Sequence, residues 1–407
     1  MADSRAAPHP QFEKVPPGEQ ARIDNVAGLT VKQLENRYAT KPRFLRGVHP
    51  KDHGCVEATF TVSPDLAPEY RVGIFKKPGE RFRAAIRYSN AAPLVTPDSP
   101  PTPAGAREHG SRGMAIKLYE VGGNRLLPGD RERTQDFLMI NQPVFAFANV
   151  EDYEEISRLL VENNEDARPF FVQRTQSSDP AIKARAIKSA TIIGRIKSLL
   201  FPPSFQAPPL SPLDNRYFSA APFLFGEGRV MKFSCNPVNP KTGEIGGAIT
   251  QEDYLRAAMR ERMSQAGGLE ICFDFQVQVR DLPSVSGNLD VEMEDMCTLW
   301  DEAKYPFVNV ARITIPTPQD ISSQERQNFC ESLFYTPWHG LDVHQPLGGI
   351  NRLRFEVYQA SAERRGCPFS PDLPKAQGPA APPPPPPGKG PGGTRGNNAQ
   401  GRGRQAD

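Results

Sequence analysis

The chain has 407 residues, 38% of them hydrophobic, and a formal net charge of +2. That length can bury a large core, and so even a charge balance demands neither nucleic acid nor an anionic membrane as partner. No run of about 18 or more apolar residues is present and the N-terminus lacks the apolar core of a signal peptide, which argues against a membrane span and points to a soluble, cytoplasmic protein. The six cysteines, Cys55, Cys235, Cys272, Cys297, Cys330 and Cys367, are scattered, with no CxxC and no His at finger spacing, which argues against structural zinc and a disulfide framework.

In chain order, residues 1–20 are polar and Pro-rich without periodicity and are expected to form a flexible arm. Within them His9-Pro10-Gln11-Phe12-Glu13-Lys14 matches the end of a common streptavidin-affinity tag and is assigned no role. From Gly47 to Tyr119 the pattern is of strands broken by turns: Val56–Val62, Phe82–Tyr88 and Gly113–Tyr119 suit half-buried strands. Ala91–Gly110, with five prolines, predicts a loop. The meander resumes at Arg229–Cys235, Ile271–Leu282 and Phe307–Ile315, with the clearest alternation in Cys272-Phe273-Asp274-Phe275-Gln276-Val277. Such a series predicts an antiparallel barrel.

Helices are expected as insertions. Val150–Glu162 opens with acids, as a helix N-terminus favours. Asp179–Leu200 places Ile182, Ala186, Ala190, Ile193 and Leu200 near one face, with a solvated basic face opposite. Thr250-Gln251-Glu252-Asp253 resembles a capping box before Tyr254–Gln265, which Gly267-Gly268 stops. Gln324–Leu333 and Ile350–Arg365 complete the set. Residues 371–407, with six consecutive prolines at Pro382–Pro387 and a Gly/Arg/Asn-rich end, are expected to be a disordered tail. It could dock an SH3-like or WW-like partner, touch RNA through Arg402 and Arg404, or serve only for solubility.

Chemistry concentrates at Asn351-Arg352-Leu353-Arg354-Phe355-Glu356-Val357-Tyr358. On a helix, Arg354 and Tyr358 share a face about 5–6 Å apart at Cβ, close enough for the guanidinium to favour a phenolate, an oxygen ligand for ferric iron. Three further stretches accompany it: Arg46-Gly47-Val48-His49 in a turn before a strand, Arg87-Tyr88-Ser89-Asn90 at a strand end, and Asn141-Gln142-Pro143-Val144-Phe145-Ala146-Phe147. In order and spacing they resemble the haem-binding core of the catalase superfamily. Arg112-Gly113-Met114-Ala115-Ile116-Lys117-Leu118-Tyr119 and the run from Pro337-Trp338-His339-Gly340 to Tyr358 extend the likeness, which is greatest to small catalase-like haem proteins.

The resemblance implies an α+β fold, a catalase-like antiparallel β-barrel with inserted helices and a C-terminal haem-ligand helix, over residues 21–370. It implies haem b, with Tyr358 as the iron ligand and Arg354 holding it as phenolate. His49 would be the distal acid/base, Asn141 the amide that orients a bound peroxide, Ser89 the hydroxyl that holds His49, and Val48 the apolar neighbour. Arg46, Arg87 and Arg365 would bind the propionates, where a planar fork suits a carboxylate. Arg364 competes with Arg365 for that role, and His53 stands near His49 as a rival; His339 and His344 are expected to be structural.

Several positions depart from the family. Pro-Lys-Asp-His-Gly follows His49 where Ala-Lys-Gly-Ala-Gly is usual, Gln-Ala-Ser-Ala follows Tyr358, Ala146 replaces a Phe, and no flavodoxin-like domain follows. These weigh against fast dismutation of hydrogen peroxide and leave haem binding untouched. The expected function is a haem-dependent hydroperoxidase, catalase or peroxidase, acting on a small-molecule peroxide with or without an organic reductant. The alternatives are an allene-oxide-synthase-like isomerase of fatty-acid hydroperoxides, from which Val48 in place of Thr leans away, and a non-catalytic haem-binding protein. Catalase kin are commonly oligomeric, which leaves an oligomer open here, although the lack of the family's full C-terminal region weakens that inference.

Overall fold

The computed structural model describes residues 7–100, 109–127, 132–197, 211–241, 251–265, 270–367 and 369. Outside them lie the Pro-rich tail expected over 371–407, Thr250, Gly267-Gly268, residues 198–200 of the expected basic helix and the middle of the Pro-rich loop.

Among the described residues nine strands form one antiparallel sheet in the order β5-β4-β3-β2-β1-β9-β8-β7-β6. They are β1 (Asp52–Val62), β2 (Arg81–Asn90), β3 (Arg112–Leu118), β4 (Gln135–Ile140), β5 (Tyr217–Phe218), β6 (Phe223–Leu224), β7 (Arg229–Pro237), β8 (Glu270–Asp281) and β9 (Phe307–Pro316). A further pairing of β5 with β7 closes eight of them into a barrel and leaves β6 against β7. Six of the strands coincide with the alternating stretches of the sequence. Inside, phenylalanines fill the space: Phe137 and Phe275 have ring centroids 4.7 Å apart, Phe60 and Phe275 5.2 Å, and Phe137 and Phe233 5.0 Å. The barrel is therefore a packed core, and a site must lie at its rim or outside it.

The helices are α1 (Glu19–Tyr38), α2 (Val150–Glu162), α3 (Arg168–Thr175), α4 (Pro180–Lys197), α5 (Tyr254–Met263), the single turns α6 (Leu282–Val285) and α7 (Leu289–Glu292), α8 (Gln324–Ser332) and α9 (Gly349–Arg364). None is long and apolar enough to cross a membrane. Helix α2 begins as its sequence predicts, with the Asn149 side chain accepting the Asp152 N–H at 3.0 Å. The capping box expected before α5 is not completed by Asp253, which pairs with Lys51 at 2.7 Å and makes no side-chain cap. On α4 the buried row is Ala186, Ser189 and Ile192, with Ala190 exposed. Its expected solvated basic face is partly tied down, since Arg185 binds Asp152 and Lys188 binds Asp295 at 2.8 Å.

The largest departure is at the N-terminus. No element was expected over 21–46, yet α1 buries Ile23 and Val26 in one cluster with Val150 of α2 and Ile350, Leu353 and Val357 of α9. Nor is the preceding arm loose from His9 on. The Phe12 and Glu13 N–H groups donate to His9 O, making one turn, and Phe12 is fully buried among Leu224, Val230, Val285, Met293, Trp300 and Leu347. Two residues of the tag-like hexapeptide, assigned no role from sequence, are therefore buried, Phe12 and Glu13. Truncation of a buried Phe removes its packing and leaves a cavity. Phe12→Ala is expected to cost about 3 kcal/mol in urea unfolding; a variant as stable as the parent would mean that this turn does not pack.

Candidate active site

Neighbouring strands bring the first group together. Ser89 of β2 pairs with Asp52 of β1 on one side and Gly113 of β3 on the other, and Gly113 pairs with Ile140 of β4. His49, just before β1, sits in the left-handed region at φ 59, an uncommon conformation for a residue with a Cβ. Its Nδ1 lies 2.9 Å from Ser89 Oγ. The imidazole lies against Gly113, where any Cβ would come within 2.4 Å of Nδ1, so only glycine leaves room for the ring. Asn141 follows Ile140: its Oδ1 accepts the Arg112 N–H at 2.7 Å and the Ser111 hydroxyl at 3.1 Å, while Nδ2 donates to Asn215 Oδ1 at 3.2 Å. Val48 is half-buried beside His49.

Arginines dominate the electrostatics. Burial, and then the charges of Arg87, Arg354 and Arg46, push His49 down to about 3, so the ring is neutral at neutral pH. Arg46, Arg87 and Arg365 meet at Glu331 in α8. Arg46 donates to its carboxylate at 2.7 Å and to Leu333 O at 2.8 Å, Arg87 donates to the same carboxylate at 3.2 Å, and Arg365 donates to Glu331 O at 2.9 Å. Burial raises the Glu331 carboxyl, but Arg46 and Arg87 overcome that and bring it down to about 2. Burial and the neighbouring Arg46 bring Arg365 down to about 9. The Nε groups of Arg87 and Arg365 are buried with no partner among the described residues. Arg364 turns away, its guanidinium 3.9 Å from the Phe44 ring centroid and 3.4 Å from Glu35.

Helix α9 supplies the third group. Arg354 Nε donates to the Tyr358 hydroxyl at 3.3 Å, and Arg354 Nη1 donates to Asn351 Oδ1 at 3.0 Å. Asn351 is itself fully buried, donating to Pro222 O at 3.0 Å, so the guanidinium is aimed from below. Tyr358 is half-buried with Phe145 and Tyr153. Burial, then the nearby Tyr358 phenol, pushes Tyr153 up to about 12. The Gly47 N–H donates to Ser361 Oγ of α9 at 3.3 Å, so α9 and the His49 turn face a common region.

The other histidines stand apart from this group. His53 Nε2 lies 2.9 Å from Asn90 Oδ1 in a buried network with Asp98 and the side chain of Arg112, whose backbone N–H meets Asn141. His339 joins Asp136 and Lys117, and His344 accepts the Ile74 N–H. Glu331 is the residue that sequence reading missed; a lone acid on a short helix carries no signal of the arginines it will meet.

No family model and no curated protein matches the sequence. Solved structures do match it. A fungal catalase superposes with a TM-score of 0.59 at 16% identity, covering 90% of this chain and 66% of that one. Catalase A from Saccharomyces cerevisiae gives 0.58 at 16% over 90% and 67%, and a bacterial catalase 0.53 at 15% over 90% and 64%. The chain thus has the catalase-like α+β fold and spans about two thirds of the length of the catalases it matches.

The Glu331 ion pairs carry a pH dependence. With a folded-state pKa below the ordinary 4.5, their stabilisation is complete above about pH 4.5 and is lost as pH falls toward 2, on the order of 3 kcal/mol in all. Glu331→Gln is therefore expected to be less stable than the parent in urea at pH 7, with the gap closing at pH 3. A gap that stays constant with pH would rule the pairing out.

Proposed function

We propose that the chain is a haem-dependent hydroperoxidase, a catalase or peroxidase, with haem b between His49 and Tyr358 and hydrogen peroxide or an organic hydroperoxide as substrate. The observation that carries this reading is the convergence of Arg46, Arg87 and Arg365, from three distant parts of the chain, on the Glu331 carboxylate, with two buried Nε groups that have no partner among the described residues. A surplus of fixed guanidinium donors fits a dianionic ligand such as the two propionates. The donor set on the other side fits as well: the Tyr358 oxygen, of a type that ferric iron accepts as a ligand, is held by the Arg354 Nε–H at 3.3 Å. The catalase-like fold is consistent with both.

When bound, haem supplies the iron that breaks the O–O bond. The protein's part is acid–base and positional. In the tautomer that donates Nδ1–H to Ser89 Oγ, 2.9 Å away, His49 has the Nε2 lone pair to take a proton from an arriving peroxide and return it to the departing oxygen. As carboxylates neutralise the surrounding arginine charges, His49 gains basicity over its arginine-depressed state. Asn141 has its carbonyl oxygen occupied by Arg112 and Ser111, so it meets a substrate as an N–H donor. Gly113 keeps the imidazole in register with Ser89.

The test is an absorption spectrum of protein expressed with haemin, followed by hydrogen peroxide addition with oxygen recorded. A ferric high-spin, Tyr-ligated spectrum is expected, with oxygen release for a catalase and little of it for a peroxidase; no Soret band would overturn the reading. Tyr358→Phe is expected to lose haem, whereas His49→Ala keeps it and cleaves peroxide about 10²-fold more slowly. Unchanged axial coordination in Tyr358→Phe would exclude that residue as ligand.

A further inference from the structure

Helix α9 begins among carboxylates that come from distant parts of the chain. Glu13, on the N-terminal turn, accepts the Gly348 N–H at 2.8 Å, and Glu294, after α7, accepts the Gly349 N–H at 2.8 Å. Arg352, one turn further on, closes the group. It donates to Glu13, to both Glu19 oxygens at 2.6 and 2.9 Å, and to Glu294 at 3.0 Å. The Glu13 side chain is fully buried and that of Arg352 is 10% exposed, so these are desolvated contacts.

The first N–H groups of a helix have no partner within it, and that end carries a partial positive charge. Carboxylates placed there hold the helix end where they stand. The arm that brings Glu13 is anchored by Phe12, which packs in one cluster with Leu347 and Met293. There is little slack at the junction: Gly348 sits at φ 85, and a Cβ there would come within 2.4 Å of Met293 O. Tyr358 lies on the same helix, about 14 Å along its axis from Gly349, and Arg354 is two residues beyond Arg352.

Resting on the haem reading above, we propose that Glu13 is a positioning residue for Tyr358: by capping α9 and clamping Arg352, it sets the height and tilt at which the phenol oxygen meets the cofactor. Loss of Glu13 leaves Glu19 and Glu294 to hold Arg352, so the helix remains, but one end is free to shift. The hexapeptide of the arm therefore does more than fill space.

The experiment compares full-length, haem-loaded parent with Glu13→Ala, Glu13→Gln and Lys14→Ala. It records the ferric high-spin charge-transfer band, the electron paramagnetic resonance signal and the rate of haem transfer to excess apomyoglobin, all well below the unfolding temperature. Glu13→Ala is expected to release haem about five to ten times faster, the size of a lost helix cap, with displaced spectral signals. Glu13→Gln, which still accepts the Gly348 N–H, should lie between, and carries the comparison if Glu13→Ala fails to fold. Lys14→Ala, which removes an exposed pair with Asp290 on the same arm, should match the parent. A lowered melting temperature with parental spectra and release rate would overturn the proposal, because a merely structural residue behaves that way. A parent without a Soret band would overturn the haem reading and this proposal together; a parent with one isolates Glu13.

Discussion

Three guanidinium groups cannot share a buried corner unless something offsets their mutual repulsion, and in this chain the offset is the Glu331 carboxylate with the carbonyls around it. Arg46 precedes β1, Arg87 lies in β2, Arg365 follows α9 and Glu331 belongs to α8. One ion cluster therefore ties the entry of the barrel, one of its strands and two helices to a common point. Desolvating these charges is costly, and a buried pair is weak support for stability in general. Here the cluster is better understood as the feature that fixes where cationic donors stand, with the positive field at His49 as its direct consequence.

That field acts on a residue already constrained by backbone. The register of β2, β3 and β4 lines up Ser89, Gly113 and Ile140 on adjacent strands, and His49 fills the space that Gly113 leaves empty. Strand pairing is a matter of backbone hydrogen bonds, and a slip of one residue would turn Ser89 to the other face. The packed phenylalanine core is what resists such a slip. The barrel thus serves as a ruler for the placement of these side chains.

The helical side works differently. Helix α9 is not part of the sheet, and its position is set by its ends and flanks: the carboxylates at Gly348 and Gly349, the buried Asn351, and the apolar face that meets α1. These contacts join residues from 55 to 335 positions apart. A helix held in this way can be adjusted at one end without disturbing its hydrogen bonds, which a strand inside a closed barrel cannot.

Much of this was legible before any coordinates. Alternation marked six of the strands, and in β8 buried and open residues do alternate, whereas β2, β3 and β7 are buried on both faces; the Arg354–Tyr358 spacing brought those side chains together because helix geometry is local. Grouping His49 with Ser89, and Arg46 with Arg87, rested on resemblance, since no local rule links positions 40 residues apart. What escaped notice was whatever depends on a distant partner. Glu331 is an ordinary helix acid until three arginines reach it. Phe12 and Glu13 look like part of a loose, Pro-rich arm until Leu347 and Gly348 lie beside them. Helix α1 shows a weak apolar face, with Thr30 and Gln33 on its buried side, and becomes a core element only between α2 and α9. Local periodicity specifies six of the strands, the helices α2, α4, α5, α8 and α9, and the facing pair on α9, because those follow from backbone geometry within a few residues. Which charges share a buried corner, and which carboxylates cap α9, was settled by the fold as a whole, because burial and Coulomb interaction depend on separation in space, which chain position does not encode.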